Sequence, residues 1–342
     1  MVGLLIAGSI ALVLALIGTP LLIRSLQVRG IGQQIREDGP RGHTTKAGTP
    51  TMGGIVIVGS TAAAYLTAHV RRSGAVFTRA AVLVLFAVAG MALVGLVDDW
   101  IKVSRQRSLG LNKRAKTAGQ LVVTVAFAVL AVYWGKVNTD LSFARQIASL
   151  SNPVYIAWAV LVMTGASNAV NLADGLDGLA AGSSMFAFAA FVFVGFWEFR
   201  HPADYHVGPA LDLTLVAAAM AAACAGFLWW NAPPARIFMG DTGSLAIGAG
   251  LGALALTTNT HLLLPIVCGL FVIITLSVVV QVAAFRVFHR RVFRMAPIHH
   301  HFELTGWPET TVIVRFWILA ALCAALAVGI FYADFIPGRI LR

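Results

Sequence analysis

Long apolar runs separated by short polar segments fill the chain from end to end. Ten of them, at about 1–23, 52–70, 79–97, 118–134, 153–171, 179–197, 211–230, 244–257, 262–285 and 312–332, read as helices. Most reach the ~20 residues needed to cross a bilayer. A helix on a soluble domain would carry a polar face through each run, and these do not. The pattern predicts an all-α polytopic membrane protein of about ten transmembrane helices, organised as one domain over 1–342 without internal repeats. The first run has no basic segment before it and has Arg24 and Arg29 after it. That order is the reverse of a secretory signal, so the first helix is expected to be retained with its N-terminus outside.

Composition supports lipid as the solvent. The chain is 58% hydrophobic and 11% charged, where a soluble domain carries about a quarter charged residues. Its net charge of +11 does not point to nucleic acid, because the charges sit in the segments between apolar runs. The loops at 24–51, 98–117, 172–178, 231–243 and 286–311 hold 16 Lys and Arg, against 8 in the alternate loops and the C-terminal tail. The positive-inside rule makes the first set cytoplasmic and both termini external. Cys224, Cys268 and Cys323 lie scattered in apolar runs and offer neither a disulfide framework nor a zinc pair.

Nine of the 14 Asp and Glu residues fall in the cytoplasmic set. Acidic residues contribute little to orientation, so chemistry is the better reason for them. Asp98-Asp99 ends the third run, with Lys102 just after. Adjacent carboxylates at a membrane boundary need a partner, water or a cation, and Mg²⁺ takes one or two carboxylates with phosphate oxygens. The bland alternative is a solvated helix end with an i,i+4 ion pair. The segment from Asn168 through Asn171, Asp174, Gly175, Leu176 and Asp177 holds two amides and two carboxylates between apolar spans. Amides and carboxylates can read a nucleobase or hold a cation, and a plain interhelical loop needs fewer of them.

Phe238-Met239-Gly240-Asp241-Thr242-Gly243-Ser244 opens a helix, so Asp241 serves equally as a cap or as part of a metal–phosphate site at the helix N-terminus. Phe238 could stack on a base or face lipid. His299-His300-His301 are consecutive and cannot all face one core from a helix. No zinc spacing accompanies them, so donors or proton shuttles opposite phosphates are the better reading. In the first cytoplasmic loop, His43 and Lys46 are phosphate-binding candidates and Thr51 lies close behind. No G-x-x-x-x-G-K-[ST] loop occurs, which removes support for ATP hydrolysis. Lys113-Arg114-Ala115-Lys116 would draw anionic lipid or phosphate to the surface.

Together these blocks resemble the polyprenyl-phosphate N-acetylhexosamine-1-phosphate transferase superfamily. Asp98-Asp99, the Asn168–Asp177 block and Gly240-Asp241 are its general marks. Residues 46–54 and the run Pro297–Leu304, followed by Gly306-Trp307, resemble its bacterial phospho-MurNAc-pentapeptide-transferring branch in particular. The resemblance implies a cytoplasmic active site, a Mg²⁺ requirement, a homodimer and a multi-pass location in the bacterial inner membrane. The implied reaction takes UDP-MurNAc-pentapeptide and undecaprenyl phosphate to lipid I and UMP. Carried over to this chain, Asp241 would bind the metal, and Asp98 would deprotonate or orient the lipid phosphate with Asp99 in support. Gly175, Leu176, Asp177 and Phe238 would form the uracil pocket. Lys46, Asn171, Asp174 and His300 would line the nucleotide-sugar site, with Thr51, Lys102, Asn168, His299 and His301 as further substrate contacts. Lys113 and Lys116 both fit the family's basic position, with Lys116 taken as the contact. Whether transfer runs in one step or through an aspartyl intermediate stays open. The rival functions are a sibling transferase using UDP-GlcNAc and, from another class, a secondary transporter; transporter sites lie near the midplane, whereas these carboxylates cluster at one face.

Overall fold

A computed structural model describes residues 2–32, 48–70, 77–107, 109–143 and 146–340, the last five without their side chains. The long helices are α1 (Val2–Val28), α2 (Gly54–Val70), α3 (Arg79–Ser104), α4 (Lys113–Tyr133), α5 (Asn152–Ala173) and α6 (Leu179–Arg200). The four-residue α7 (Pro202–Tyr205) leads into α8 (Ala210–Asn231) and α9 (Gly240–Thr257). Then follow α10 (Leu264–Val267), α11 (Gly269–Phe288), α12 (Ile298–Leu304) and α13 (Glu309–Ile340). Eight of these are long and apolar enough to cross a membrane. The expected span at 52–70 forms as α2, a shorter apolar helix of 17 residues. The chain is an all-α polytopic membrane protein.

Besides the short helices α7 and α12, which form in segments read as loops, the structure departs from the sequence reading in three places. A small antiparallel hairpin, β1 (Asp140–Ser142) with β2 (Gln146–Ser149), occupies a stretch expected to be loop. It is anchored where Leu262 N–H donates to the Ser142 carbonyl at 3.0 Å. The expected span 262–285 is broken at Cys268 into α10 and α11, near Pro265 and Gly269, both weak helix residues. Finally, α3, α4 and α9 extend further toward the site than the apolar runs suggest. Polar side chains there bond one another, so hydropathy ends before the helix does. Asn112 caps α4 by accepting from Ala115 N–H at 2.8 Å.

The central element is α9, buried from Asp241 through Thr257. It packs between α3 and α5, with further contacts to α2, α6 and α8. Small residues permit this, as they do at close helix crossings in membranes. A Cβ at Gly95 of α3 would collide with the Asp241 carbonyl, and one at Gly248 of α9 would collide with the backbone of Ala166 and Ser167 on α5. The remaining helices wrap this axis: α1 lies along α8, and α6 lies between α8 and α13. Gly3 meets Leu215 and the Leu16 carbonyl accepts from Trp230 Nε1–H, so α1 and α8 run parallel. Their C-terminal ends share one end of the bundle with the start of α9.

Two glycines test this packing. Gly95→Ala should cost about 1–3 kcal/mol of stability through overpacking, read as a lower thermal midpoint in detergent. Gly59→Ala, with nothing within 4 Å of its added Cβ, should leave the midpoint unchanged. Equal midpoints for the two variants would contradict the close α3–α9 contact.

Candidate active site

Three carboxylates converge at one end of the bundle. Asp98 and Asp99 from the last turns of α3 and Asp241 from the first turn of α9 present ligand atoms within 4.8 Å of one another. All three are buried, a costly arrangement unless charge and hydrogen bonds compensate. Lys102 supplies much of that compensation. Its ammonium lies 2.7 Å from Asp98 Oδ2, 3.3 Å from Asp99 Oδ1 and 2.5 Å from Asp241 Oδ2. Its position one helical turn beyond both α3 aspartates makes this geometry local. Lys116, on the first turn of α4, adds a second cation 2.9 Å from Asp241 Oδ2.

The carboxylates differ in what they do. Asp99 accepts from Asp241 N–H (3.1 Å), Thr242 N–H (2.9 Å) and the Thr242 hydroxyl (2.7 Å). It therefore caps α9 from a different helix, satisfying donors that no side chain at Met239 reaches. Gly240 at φ +72 turns the chain into this contact, and a Cβ there would meet the Asp99 carboxylate and, at 2.9 Å, Thr51 Oγ1. Asp98 accepts from Leu111 N–H at 2.8 Å and faces Lys102 and the Asp241 carboxylate. Asp241 is held by the two lysines and by Asn171, whose amide donates to Asp241 Oδ1 and, at 2.8 Å, to Ser244 Oγ. One turn deeper, Asn168 of α5 and Gln120 of α4 form an amide pair, with Asn168 Nδ2–H donating to Gln120 Oε1 at 3.1 Å.

The loop after α5 carries the next group. Burial first, then the negative fields of Asp241 and Asp99, pushes the Asp174 carboxyl up to about 8. Gly175 lies against the histidine helix α12, where a Cβ would sit 2.5 Å from His299 Nε2 and 3.4 Å from His300 Nε2. His300 Nδ1 lies 2.7 Å from Glu303 Oε2, an orientation that leaves Nε2 toward Gly175. Leu176 is buried. Asp177 knits the loop to neighbouring segments: Ala235 N–H donates to its Oδ2 at 3.0 Å, and its own N–H donates to Glu309 Oε1 at 3.2 Å. Phe238 is half-buried, and its N–H donates to the Pro50 carbonyl at 2.8 Å.

The expected residues thus divide by place. Asp98, Asp99, Lys102, Lys116, Asn171 and Asp241 meet in one cluster, with Thr51 beside Gly240 and Asn168 one turn below. Asp174, Gly175, His299 and His300 form an adjoining wall. His301 instead faces the loop between α11 and α12, accepting from Arg294 N–H at 3.1 Å. Lys46 and His43 lie outside the described residues. Between Lys113 and Lys116, the ion pair goes to Lys116. Gln120 was not singled out by sequence, and Thr242 and Glu303 stood in their motifs without an assigned role. Gln120 had a legible signal, a polar residue one turn after Lys116 in an apolar run, and Glu303 stands one turn after His300.

A multi-pass helical membrane protein with a buried carboxylate–lysine centre at one end has the frame of a membrane-embedded transferase. The family profile described as glycosyl transferase family 4 matches residues 81–259, and a phospho-N-acetylmuramoyl-pentapeptide-transferase signature matches residues 46–58. The phospho-N-acetylmuramoyl-pentapeptide-transferase of Streptomyces griseus is 51% identical, covering 96% of this chain and 97% of that protein. Those of Frankia casuarinae and Beutenbergia cavernae are 50% and 47% identical, covering 98% and 99% of this chain and 98% and 100% of their own. The chain belongs to glycosyl transferase family 4 and, within it, to the family of phospho-N-acetylmuramoyl-pentapeptide-transferases.

The lysine geometry generates a paired test. Lys116→Ala should lower turnover at least about tenfold, the loss of one charge-assisted contact. Lys113→Ala, whose residue is exposed, should stay within about twofold of the parent. Matching losses in the two variants would remove Lys116 from the centre.

Proposed function

We propose that this chain transfers phospho-MurNAc-pentapeptide from UDP-MurNAc-pentapeptide to undecaprenyl phosphate, giving lipid I and UMP, as a homodimer in the bacterial inner membrane. The carboxylate end faces the cytoplasm in this reading, supported by the excess of Lys and Arg in the loops at that end. The observation that carries the proposal is the Asp98–Asp99–Asp241 cluster with Lys102 and Lys116, in a chain that matches named transferases over nearly its whole length.

In the reaction an oxygen of the acceptor phosphate attacks the sugar-linked phosphorus of the donor. The bond to the UMP phosphate breaks, and UMP leaves with the electron pair. Such a step needs charge neutralisation and alignment more than covalent help. Lys102 and Lys116 can turn from Asp241 to the diphosphate oxygens. Asp98, with one oxygen held by Leu111 N–H, orients the acceptor. An ionised phosphate needs little deprotonation near pH 7, since its second pKa is about 6. Asp99 keeps α9 in register and so positions Asp241. The donor set fits Mg²⁺, a hard cation that takes carboxylate oxygens, with Asp241 as the principal ligand and Asp98 and Asp99 beside it. When bound, the ion would neutralise the diphosphate and stabilise charge on the leaving oxygen. Asp174, Gly175 and His300 line the side toward the nucleotide sugar, and Gly175, Leu176, Asp177 and Phe238 surround the uracil.

Purified protein with radiolabelled UDP-MurNAc-pentapeptide, undecaprenyl phosphate and Mg²⁺ should yield lipid I and UMP, and EDTA should stop the reaction. A preference for UDP-GlcNAc would replace this reading with the sibling transferase. Asp241→Asn should lose Mg²⁺-dependent turnover while keeping its thermal midpoint, and His300→Ala should lose at least about tenfold, one charge-assisted contact.

Asp174 adds a pH signature. With its carboxyl pushed up to about 8, it is largely protonated at pH 7. A dication at the neighbouring carboxylates favours its ionised form, so Mg²⁺ binding should release protons below pH 8, and metal affinity should rise as pH climbs toward that value. Calorimetry in two buffers of different ionisation enthalpy reads the release. Asp174→Asn should diminish it, and an equal release from that variant would assign the proton elsewhere.

A further inference from the structure

A second basic cleft lies on the same end of the bundle, on the far side of the strap 48–51. This open cleft offers about 640 Å³, within the roughly 300–1,000 Å³ typical of small-molecule sites. Pro20, Ile23, Arg24 and Gln27 of α1 form one wall at i, i+3, i+4 and i+7, and Trp230 and Arg236 form the opposite wall. The Arg236 guanidinium lies over the Trp230 ring, 5.5 Å from its centroid, and the Trp230 Nε1–H is held by the Leu16 carbonyl at 3.0 Å. Among the described residues no carboxylate lines the cleft. Thr49 and Pro50 close the cleft. The next residue, Thr51, borders Gly240, so the cleft and the carboxylate centre share the strap as a wall.

We propose that this cleft binds the phosphate headgroup of an anionic phospholipid. Two guanidiniums, a side-chain amide and a hydroxyl provide donors for a phosphodiester, and Arg is suited to phosphate by its planar fork. The apolar surface below the cleft selects a lipid over a soluble anion. Ile17 and Leu21 are exposed on α1 and lead to Arg24 at i, i+4 and i+7. An acyl chain can therefore follow this face into the hydrocarbon while its headgroup rests between Arg24 and Arg236. Basic recesses between membrane helices recognise lipid headgroups by this combination. The indole of Trp230 suits the interfacial level where headgroup and chain meet.

The test uses full-length protein delipidated in neutral detergent and titrated with phosphatidylglycerol or phosphatidylcholine, with bound lipid counted by native mass spectrometry. The parent should retain one phosphatidylglycerol at least about fivefold more tightly than phosphatidylcholine, the gain expected from charge-assisted phosphate contacts. The double variant R24Q/R236Q should lose that one lipid while its thermal midpoint without added lipid stays at the parent value. Should the double variant misfold, Arg24→Gln alone, at an exposed helix position, should still weaken retention severalfold. An unchanged lipid distribution in whichever variant folds overturns the proposal. Displacement of the lipid by millimolar inorganic phosphate overturns it too, because the cleft would then accept any small anion. None of these readouts depends on turnover.

Discussion

Asp99 holds the start of α9, and the geometry of the site follows from that contact. A helix N-terminus buried in a bundle leaves backbone N–H groups without partners. Here the missing acceptor comes from α3, in a carboxylate that takes two backbone N–H groups and the Thr242 hydroxyl. The contact fixes the register of α9 against α3, and the next side chain, Asp241, is thereby delivered to Asp98 and Lys102. The small residues at Gly95 and Gly248 serve the same end, since α9 could not approach α3 and α5 so closely with side chains there.

The electrostatics of the cluster are asymmetric in a useful way. Three buried carboxylates meet two lysines, and both lysines converge on a single oxygen of Asp241. Lysine is a flexible, compact point charge, so it can exchange a carboxylate for a phosphate without rearrangement of the helices. The amides are fixed by contrast. Asn171 bridges α5 to Asp241 and Ser244, and Asn168 with Gln120 ties α5 to α4 one turn below. A rigid frame of helix ends therefore surrounds a small number of movable charges. The α12 histidines approach this frame through Gly175, where the absence of a side chain lets His299 and His300 come against the loop.

Much of this protein was legible in its sequence. Apolar run length marked every one of the long helices, because a bilayer imposes both a length and a dryness that no other environment requires. The acidic motifs could be picked out individually, since carboxylates are rare beside apolar spans and Asp98, Asp99, Asp174, Asp177 and Asp241 stand out against them. The i,i+4 spacing of Lys102 from Asp98, which the sequence offers as an ordinary helix-end ion pair, forms here as a pair with a buried carboxylate. The hairpin at 140–149 and the break at Cys268 were not legible, because the first is held by Leu262 and His261 from a distant loop and the second occurs inside a continuous apolar run.

Hydropathy and motif spacing thus supply local facts: helices, their polar ends, and the chemistry each short motif could carry. Which motifs meet depends on tertiary packing. Asp241 is read from sequence as a cap or a ligand with equal ease; in the structure the cap comes from Asp99, 142 residues away, and the Asp241 carboxylate meets Lys102, Lys116 and Asn171. Lys116 and Lys113 differ by three positions in one basic run, yet only the packing of α4 against α3 and α5 sets one of them on Asp241. His301 and His300 are adjacent, and the turn of α12 sends one toward Glu303 and Gly175 and the other toward Arg294. Periodicity and hydropathy report the forces along a chain and between it and its solvent. The pairing of charges from separate helices depends on how closely backbones can pack, and no single segment contains that information.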